Sequence, residues 1–132
     1  MSGANWIRIG AILGGLAVAA GAFGAHGLKE RLDARSLEVF ETAAKYQMVH
    51  ALALIAVGLL ATSNRSGAAL TVAGWSFLLG ILIFSGTLYG LAISGLKWLG
   101  AITPIGGLAL IAGWVALAIA AGPAAKPMGT EL

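Results

Sequence analysis

The chain has 132 residues, of which 59% are apolar and only 10% are charged, and its mean hydropathy is +0.93. A charged fraction so far below the roughly 25% of soluble domains argues against a water-soluble fold and leaves room for about four spans of roughly 20 residues each. The basic residues behind the net charge of +3 are scattered and cysteine is absent, so we expect no nucleic-acid partner, disulfide or thiolate site.

The first predicted element is an apolar helix over residues 6–25, with Arg8 close to its start. About 20 helical residues are enough to cross a hydrocarbon core of roughly 30 Å. A cleaved signal peptide is the alternative interpretation, because the small residues at positions 20–22 imitate a cleavage site. We interpret the segment as the first membrane span.

The next segment, residues 27–45, is the only solvated stretch of any length, with four acidic and four basic side chains. Asp33 is a plausible helix N-cap, and Leu37, Phe40 and Ala44 follow it at the three-and-four spacing of an amphipathic helix. This pattern predicts a short interfacial helix over about 34–45 that runs without a breaker into the second span.

The remaining spans are predicted over residues 46–62, 70–93 and 98–121, separated by polar turns at 63–67 and 94–97. The expected fold is therefore a single all-α membrane domain over residues 1–132, an integral membrane four-helix bundle. Lys and Arg number five on the side of the first and third loops and three, including Lys126, on the side of the termini. That difference favours termini on the outer side of the membrane.

Small residues recur along three of the four spans, several of them four positions apart. In lipid, small residues let helix backbones approach closely and gain van der Waals contact, so this spacing predicts a tightly packed bundle. The predicted helix-packing residues are Gly10, Gly14, Gly21, Gly86, Gly90, Gly106 and Gly113.

The unusual polar residues fall in one half of the membrane, where alternating spans bring together the ends of helices one and three and the starts of helices two and four. Polar groups at this depth are costly unless they find partners, so we expect them to converge on an inward-facing cluster. Pro104 also leaves the Gly100 carbonyl without its usual amide donor, and a hydroxyl or water has to replace that donor. The candidate residues are His26, Tyr46, Gln47, His50, Ser85, Thr87, Tyr89, Thr103 and Pro104.

Two interpretations of this cluster stay open. Its members act only as interhelical hydrogen-bond partners, each contributing on the order of 0.6 kcal/mol, or they line a half-membrane pocket in which His50 is the titratable group. The absence of an acidic residue within any span counts against a proton-coupled antiporter.

Metal, cofactor and catalytic sites are not expected. His26 and His50 lack the spacing of a short metal motif, and no cysteine or intramembrane carboxylate completes a ligand shell. No serine or threonine has an identifiable oriented base, so the sequence predicts a protein that is not an enzyme.

Four motifs together resemble a known family: Gly-Ala-Phe-Gly-Ala-His-Gly-Leu at 21–28, Tyr-Gln at 46–47 with His-Ala-Leu at 50–52, Phe-Ser-Gly-Thr-Leu-Tyr at 84–89, and Thr-Pro-Ile-Gly-Gly at 103–107. The chain resembles, over nearly its whole length, the small four-helix membrane proteins catalogued as domain of unknown function 423 (DUF423, UPF0382). These are related in pattern to the eukaryotic transmembrane protein 256 group. Thr87 stands where that family commonly has serine, and both residues keep a hydroxyl.

The resemblance implies a multi-pass protein of the bacterial inner (plasma) membrane and implies no activity. It carries over seven signature positions: His26, Tyr46, His50, Ser85, Tyr89, Thr103 and Pro104. We expect a non-enzymatic accessory or assembly subunit, or a homo-oligomer, whose partners are the lipid bilayer and itself or a larger membrane complex. The alternative is a small-solute or ion transporter or channel that uses the polar pocket around His50.

Overall fold

The computed structural model describes residues 1–123, which form four α-helices joined by short connections. The helices are α1 (Gly3–His26), α2 (Ala34–Thr62), α3 (Ala68–Ser94) and α4 (Lys97–Ala120). All four are long and apolar enough to cross a membrane, so the predicted all-α membrane class is confirmed. Lys126, which the sequence analysis counts on the side of the termini, lies outside the described residues, as do the other residues beyond 123.

The longest helix, α2, contains both the amphipathic segment and the second span. Its N-cap is Asp33, whose carboxylate accepts a 2.7 Å hydrogen bond from the Ser36 amide. With 29 residues it is roughly 43 Å long, more than the roughly 30 Å of a hydrocarbon core. The predicted interfacial segment forms the first three or so turns of α2 and continues into the second span without a break, and there Phe40 packs with Leu28 and Ala92.

The helix ends show how the chain reverses. Gly95 ends α3 in a left-handed conformation with φ of 73°, which glycine adopts without the steric cost that a side chain imposes. At the other end of the bundle, the Arg65 guanidinium donates to the carbonyls of Ala120 and Gly122 at 3.2 and 2.7 Å. Arg65 thus places a positive charge at the negative end of the α4 dipole.

The helices pack in chain order, with α1 against α2, α2 against α3 and α3 against α4. The contact face of α1 repeats every seven residues, and its buried members are Gly3, Gly10, Ala17 and Gly24, with Trp6 beside them. A repeat of seven keeps one stripe of a helix against its partner with a slight left-handed twist. Because α2 and α3 each pack against two neighbouring helices, they form the central pair, and α1 and α4 flank them.

The α3–α4 interface is built by large side chains that fill gaps left by glycines. A Cβ placed on Gly113 would lie 2.6 Å from the Phe77 ring, and one on Gly80 would lie 2.5 Å from Leu110. A Cβ on Gly106 would overlap the backbone of Phe84. Phe77 of α3 and Leu110 of α4 therefore act as knobs seated over a glycine of the facing helix, whereas Gly106 lets the Phe84 backbone itself approach α4 closely.

Among the predicted packing glycines, Gly10, Gly106 and Gly113 lie where the structure has close helix contacts, and a Cβ added at Gly90 would lie 3.0 Å from the Leu99 side chain. A Cβ added at Gly14 would make only ordinary van der Waals contact, at 3.8 Å from Ala51. An added Cβ at Gly21 or at Gly86 meets nothing within 4 Å, so these two residues are not in a helix interface of the single chain. The close α1–α2 approach at Gly3 and Gly58 was not anticipated.

Candidate functional site

His50 is the buried titratable side chain near the middle of α2, with 5% of its surface exposed. Its Nδ1 lies 2.7 Å from the Tyr46 carbonyl oxygen, one turn earlier. Its Nε2 accepts a 3.0 Å hydrogen bond from the indole nitrogen of Trp114 on α4. The Phe77 ring of α3 packs 5.8 Å from the imidazole, centre to centre. His50 therefore links the central helices to α4, and neither ring nitrogen is free.

Tyr46 lies outside this buried core, although the sequence predicted that it faces inward with His50. Its side chain is 42% exposed, and its ring stacks 6.0 Å from the His50 ring and 4.7 Å from Phe84. A cavity of about 330 Å³, which we call the His50 groove, is lined by Lys45, Tyr46, Val49 and His50. The groove extends from the polar part of α2 to the imidazole.

Gln47 joins three helices on the other side of the central pair. Its amide nitrogen donates to the Leu13 carbonyl of α1 at 2.8 Å, and its amide oxygen accepts from the Tyr89 hydroxyl of α3, also at 2.8 Å. Ser85 donates to the Ala43 carbonyl at 2.8 Å and ties α3 to α2. These three side chains hold the half of the bundle nearest the charged loop together.

A second cavity lies beside Gln47, between α1 and α3. It is an open cavity of about 360 Å³, and we call it the α1–α3 groove. Its wall is mainly apolar. The lining residues are Leu13, Leu16, Ala20, Gln47, Ile81, Leu82, Ser85, Gly86 and Tyr89.

Thr87 and Thr103 form a third polar contact, between α3 and α4. Their hydroxyl oxygens are 2.7 Å apart, and each also bonds a carbonyl of its own helix, Ile83 at 2.6 Å and Leu99 at 3.1 Å. The Thr103 hydroxyl therefore bonds the carbonyl one residue before the predicted acceptor at Gly100. Pro104 is exposed within a continuous α4.

The structure thus divides the predicted cluster into three separate contacts. Gln47, Ser85 and Tyr89 lie toward α1, Thr87 and Thr103 lie between α3 and α4, and His50 faces α4 across Phe77. His26 is exposed at the last residue of α1. The structure therefore does not show a single pocket lined by all nine residues.

The sequence analysis did not single out Trp114. The available signal was its position well inside α4, because a partly buried indole N–H usually finds an acceptor. Within residues 1–123, every buried side-chain nitrogen or oxygen has a hydrogen-bond partner. That part of the chain also contains no group of three or more His, Cys, Asp or Glu residues that could hold a metal ion.

Four apolar helices tied together by buried polar contacts define a polytopic α-helical membrane protein. The profile of the family described as "Protein of unknown function (DUF423)" matches residues 20–107. The chain belongs to this family, as its motifs indicated.

Curated relatives of the chain are named UPF0382 membrane proteins. A UPF0382 membrane protein of Staphylococcus saprophyticus is 46% identical over 114 residues, covering 86% of this chain and 93% of the relative. The UPF0382 membrane protein YwdK of Bacillus subtilis is 45% identical over 116 residues, 88% of this chain and 94% of that one. One from Haemophilus influenzae is 42% identical over 114 residues, 86% and 90% of the two chains. No solved structure matches the chain.

Proposed function

We propose that this chain is a non-enzymatic multi-pass protein of the bacterial inner (plasma) membrane that acts by packing, as an assembly subunit that associates with a second copy of itself. The observation that carries the proposal is the internal pairing of its polar groups. In residues 1–123 no buried side-chain nitrogen or oxygen is left without a partner. Buried polar groups that pair with one another across helices hold those helices in register.

The outward face of α1 supports self-association. Ala4, Ala11, Gly15 and Ala22 are all exposed and recur at intervals of seven and four, and we call them the outer α1 seam. An added Cβ at Gly15 would meet nothing within 4 Å. Small residues at this spacing let two helices in lipid approach closely, as in known small-xxx-small contacts.

The proposed occupant of the seam is a second copy of this chain. Two copies in one membrane have the same orientation, so the seam meets its own equivalent across a two-fold axis at equal depth. Arg8 lies on the same face near the helix start. Its long side chain can extend to the membrane surface, so the closest approach is expected between Ala11 and Gly15.

The transporter or channel alternative has less support from the geometry. The polar residues that were expected to line one pocket lie in three separate contacts, and the two grooves flank the central pair on different sides. The imidazole that such a carrier would use is already engaged at both nitrogens.

Native mass spectrometry of the gently solubilised protein tests the proposal. We expect a defined dimer or higher oligomer for the native chain and a monomer for Gly15→Ile. The matched control is Gly86→Ile, because Gly86 is also an exposed helical glycine with no neighbour within 4 Å. Gly86→Ile should keep the oligomer.

The opposing outcome is a monomeric native chain, or an oligomer that survives Gly15→Ile unchanged. A His50→Ala variant is measured beside these. A monomer that holds a small ligand which His50→Ala loses would favour the transporter alternative instead.

A further inference from the structure

The contact between His50 and Trp114 allows only one arrangement of protons. An indole nitrogen is always a donor, so His50 Nε2, at 3.0 Å from it, has to be an unprotonated acceptor. The Tyr46 carbonyl oxygen is always an acceptor, so Nδ1, at 2.7 Å, has to carry the hydrogen. Only the neutral imidazole with its proton on Nδ1 satisfies both contacts.

Protonation removes that compatibility. An imidazolium carries hydrogens on both nitrogens, and the one on Nε2 would point at the N–H of Trp114. Two donors cannot share this contact, so the indole and the imidazole must separate. The Tyr46 bond is unaffected, because Nδ1 donates in both states. The change therefore acts on the α2–α4 contact alone.

The surroundings favour movement of Trp114 over movement of His50. Trp114 is 44% exposed, whereas His50 is 5% exposed and Phe77, which packs on both rings, is fully buried. The indole can swing outward without displacing core side chains. The imidazole cannot leave without opening the α2–α3 pair.

The path by which a proton would reach the imidazole is the His50 groove, whose wall is mainly apolar. It is lined by Lys45, Tyr46, Val49 and His50 itself, and Lys45 lies at the polar part of α2. Around His50, α2 presents Lys45 and Tyr46, α3 presents Phe77 and α4 presents Trp114. Lys45 and Tyr46 are the titratable groups in this set. An imidazolium would therefore find no carboxylate among these neighbours, and water in the groove would have to solvate it.

We infer that the His50–Trp114 contact is a proton-sensitive latch, closed when His50 is neutral and opened by protonation through the groove, so that α4 is released from α2 at this point. The inference is independent of self-association through α1. The two sites are on different flanks of the central pair.

The test is nuclear magnetic resonance of the full chain in lipid nanodiscs, with nitrogen-15 in tryptophan and histidine. The signal of the Trp114 indole is assigned by its loss in Trp114→Phe. On acidification from about pH 8 to about pH 5, we expect the hydrogen-bonded Trp114 signal to disappear as the His50 ring titrates. The indole signal of Trp75, which has no contact with His50, should stay in place.

Two variants separate the latch from general acid effects. His50→Gln keeps an acceptor for the indole but cannot titrate, so its Trp114 signal should persist throughout. His26→Gln removes the exposed histidine and should leave the transition unchanged. The inference is overturned if the Trp114 signal survives titration of His50, if His50 does not titrate in this range, or if His50→Gln loses the signal at the same pH.

Discussion

The indole nitrogen of Trp114 lies 3.0 Å from Nε2 of His50, and this hydrogen bond ties α4 directly to α2 although α3 lies between them. The Phe77 ring fills the space under both aromatic groups, at 5.0 Å from Trp114 and 5.8 Å from His50. Loss of this hydrogen bond would leave the buried Nε2 acceptor of His50 unpaired, which costs free energy at this depth.

Replacing Trp114 with phenylalanine removes the donor and keeps an aromatic ring against Phe77. We expect a loss of about 1 kcal/mol in the free energy of unfolding, since interhelical hydrogen bonds in membranes contribute about 0.6 kcal/mol on average and a buried acceptor is left unpaired. This loss is measured by unfolding the native protein and the variant in mixed detergent micelles. Trp75→Phe is the control, because Trp75 is 43% exposed and Trp114 44%. Equal losses in both variants would show that ring size, not the hydrogen bond, causes the effect.

Gln47 and Tyr89 should be energetically coupled. The Tyr89 hydroxyl donates to the Gln47 amide oxygen at 2.8 Å, so Gln47→Leu and Tyr89→Phe each remove the same bond. A double-mutant cycle should give a coupling free energy of about 0.6 kcal/mol. Gln47→Leu should cost more than Tyr89→Phe, because it also frees the Leu13 carbonyl. Strictly additive losses would contradict the bond.

Replacing a helical glycine with alanine should change the free energy of unfolding according to the space around that glycine. In Gly106→Ala the new methyl group meets the backbone of Phe84, which cannot move aside by changing a rotamer. We expect a loss of about 1–3 kcal/mol in the free energy of unfolding. Gly86→Ala is the matched helical control with no neighbour within 4 Å, and it should be neutral or stabilising. A harmless Gly106→Ala would contradict this packing.

The fold class could be predicted because it depends on properties of the chain alone. Span length, the position of charges and the N-cap at Asp33 are local features, and the structure has four helices long and apolar enough to cross a membrane, with Asp33 capping α2. The contacts between spans are different. A search for small residues four apart selects Gly10 with Gly14, whereas the observed α1 face repeats every seven residues through Gly3, Gly10 and Gly24.

The division of the polar cluster could not be predicted from depth. Counting spans tells which half of the membrane a residue occupies, but not the direction in which its side chain points. Tyr46 and Gln47 are adjacent and therefore point about 100° apart around α2. As a result, Tyr46 lines the His50 groove and Gln47 lines the α1–α3 groove.

Acidification should destabilise the N-terminal turn of α2, because it protonates the capping carboxylate of Asp33. The hydrogen bond from the Ser36 amide, with a further contribution from the Ser36 hydroxyl, lowers the pKa of the Asp33 carboxyl below its ordinary value. A lowered pKa means that the stabilisation is present above the unfolded-state value of about 3.9 and is lost as the pH falls through the folded-state value. Hydrogen-exchange protection of the Ser36 and Leu37 amides should therefore fall at the acid end.

Asp33→Asn keeps a capping oxygen without a titrating group, so its protection should stay independent of pH over the same range. Acid loss of equal size in Asp33→Asn would assign the effect to another group.

The central claim is that two copies meet along the outer α1 seam, and disulfide trapping in native membranes tests it most directly. The chain has no cysteine, so Ala11→Cys introduces a single thiol into the seam. Ala112→Cys is the control, because both alanines are exposed and each lies eight residues from its helix end at the side of the termini. We predict a cross-linked dimer for Ala11→Cys and a monomer for Ala112→Cys under mild oxidation. Equal cross-linking of both variants, or none for Ala11→Cys, would contradict self-association through α1.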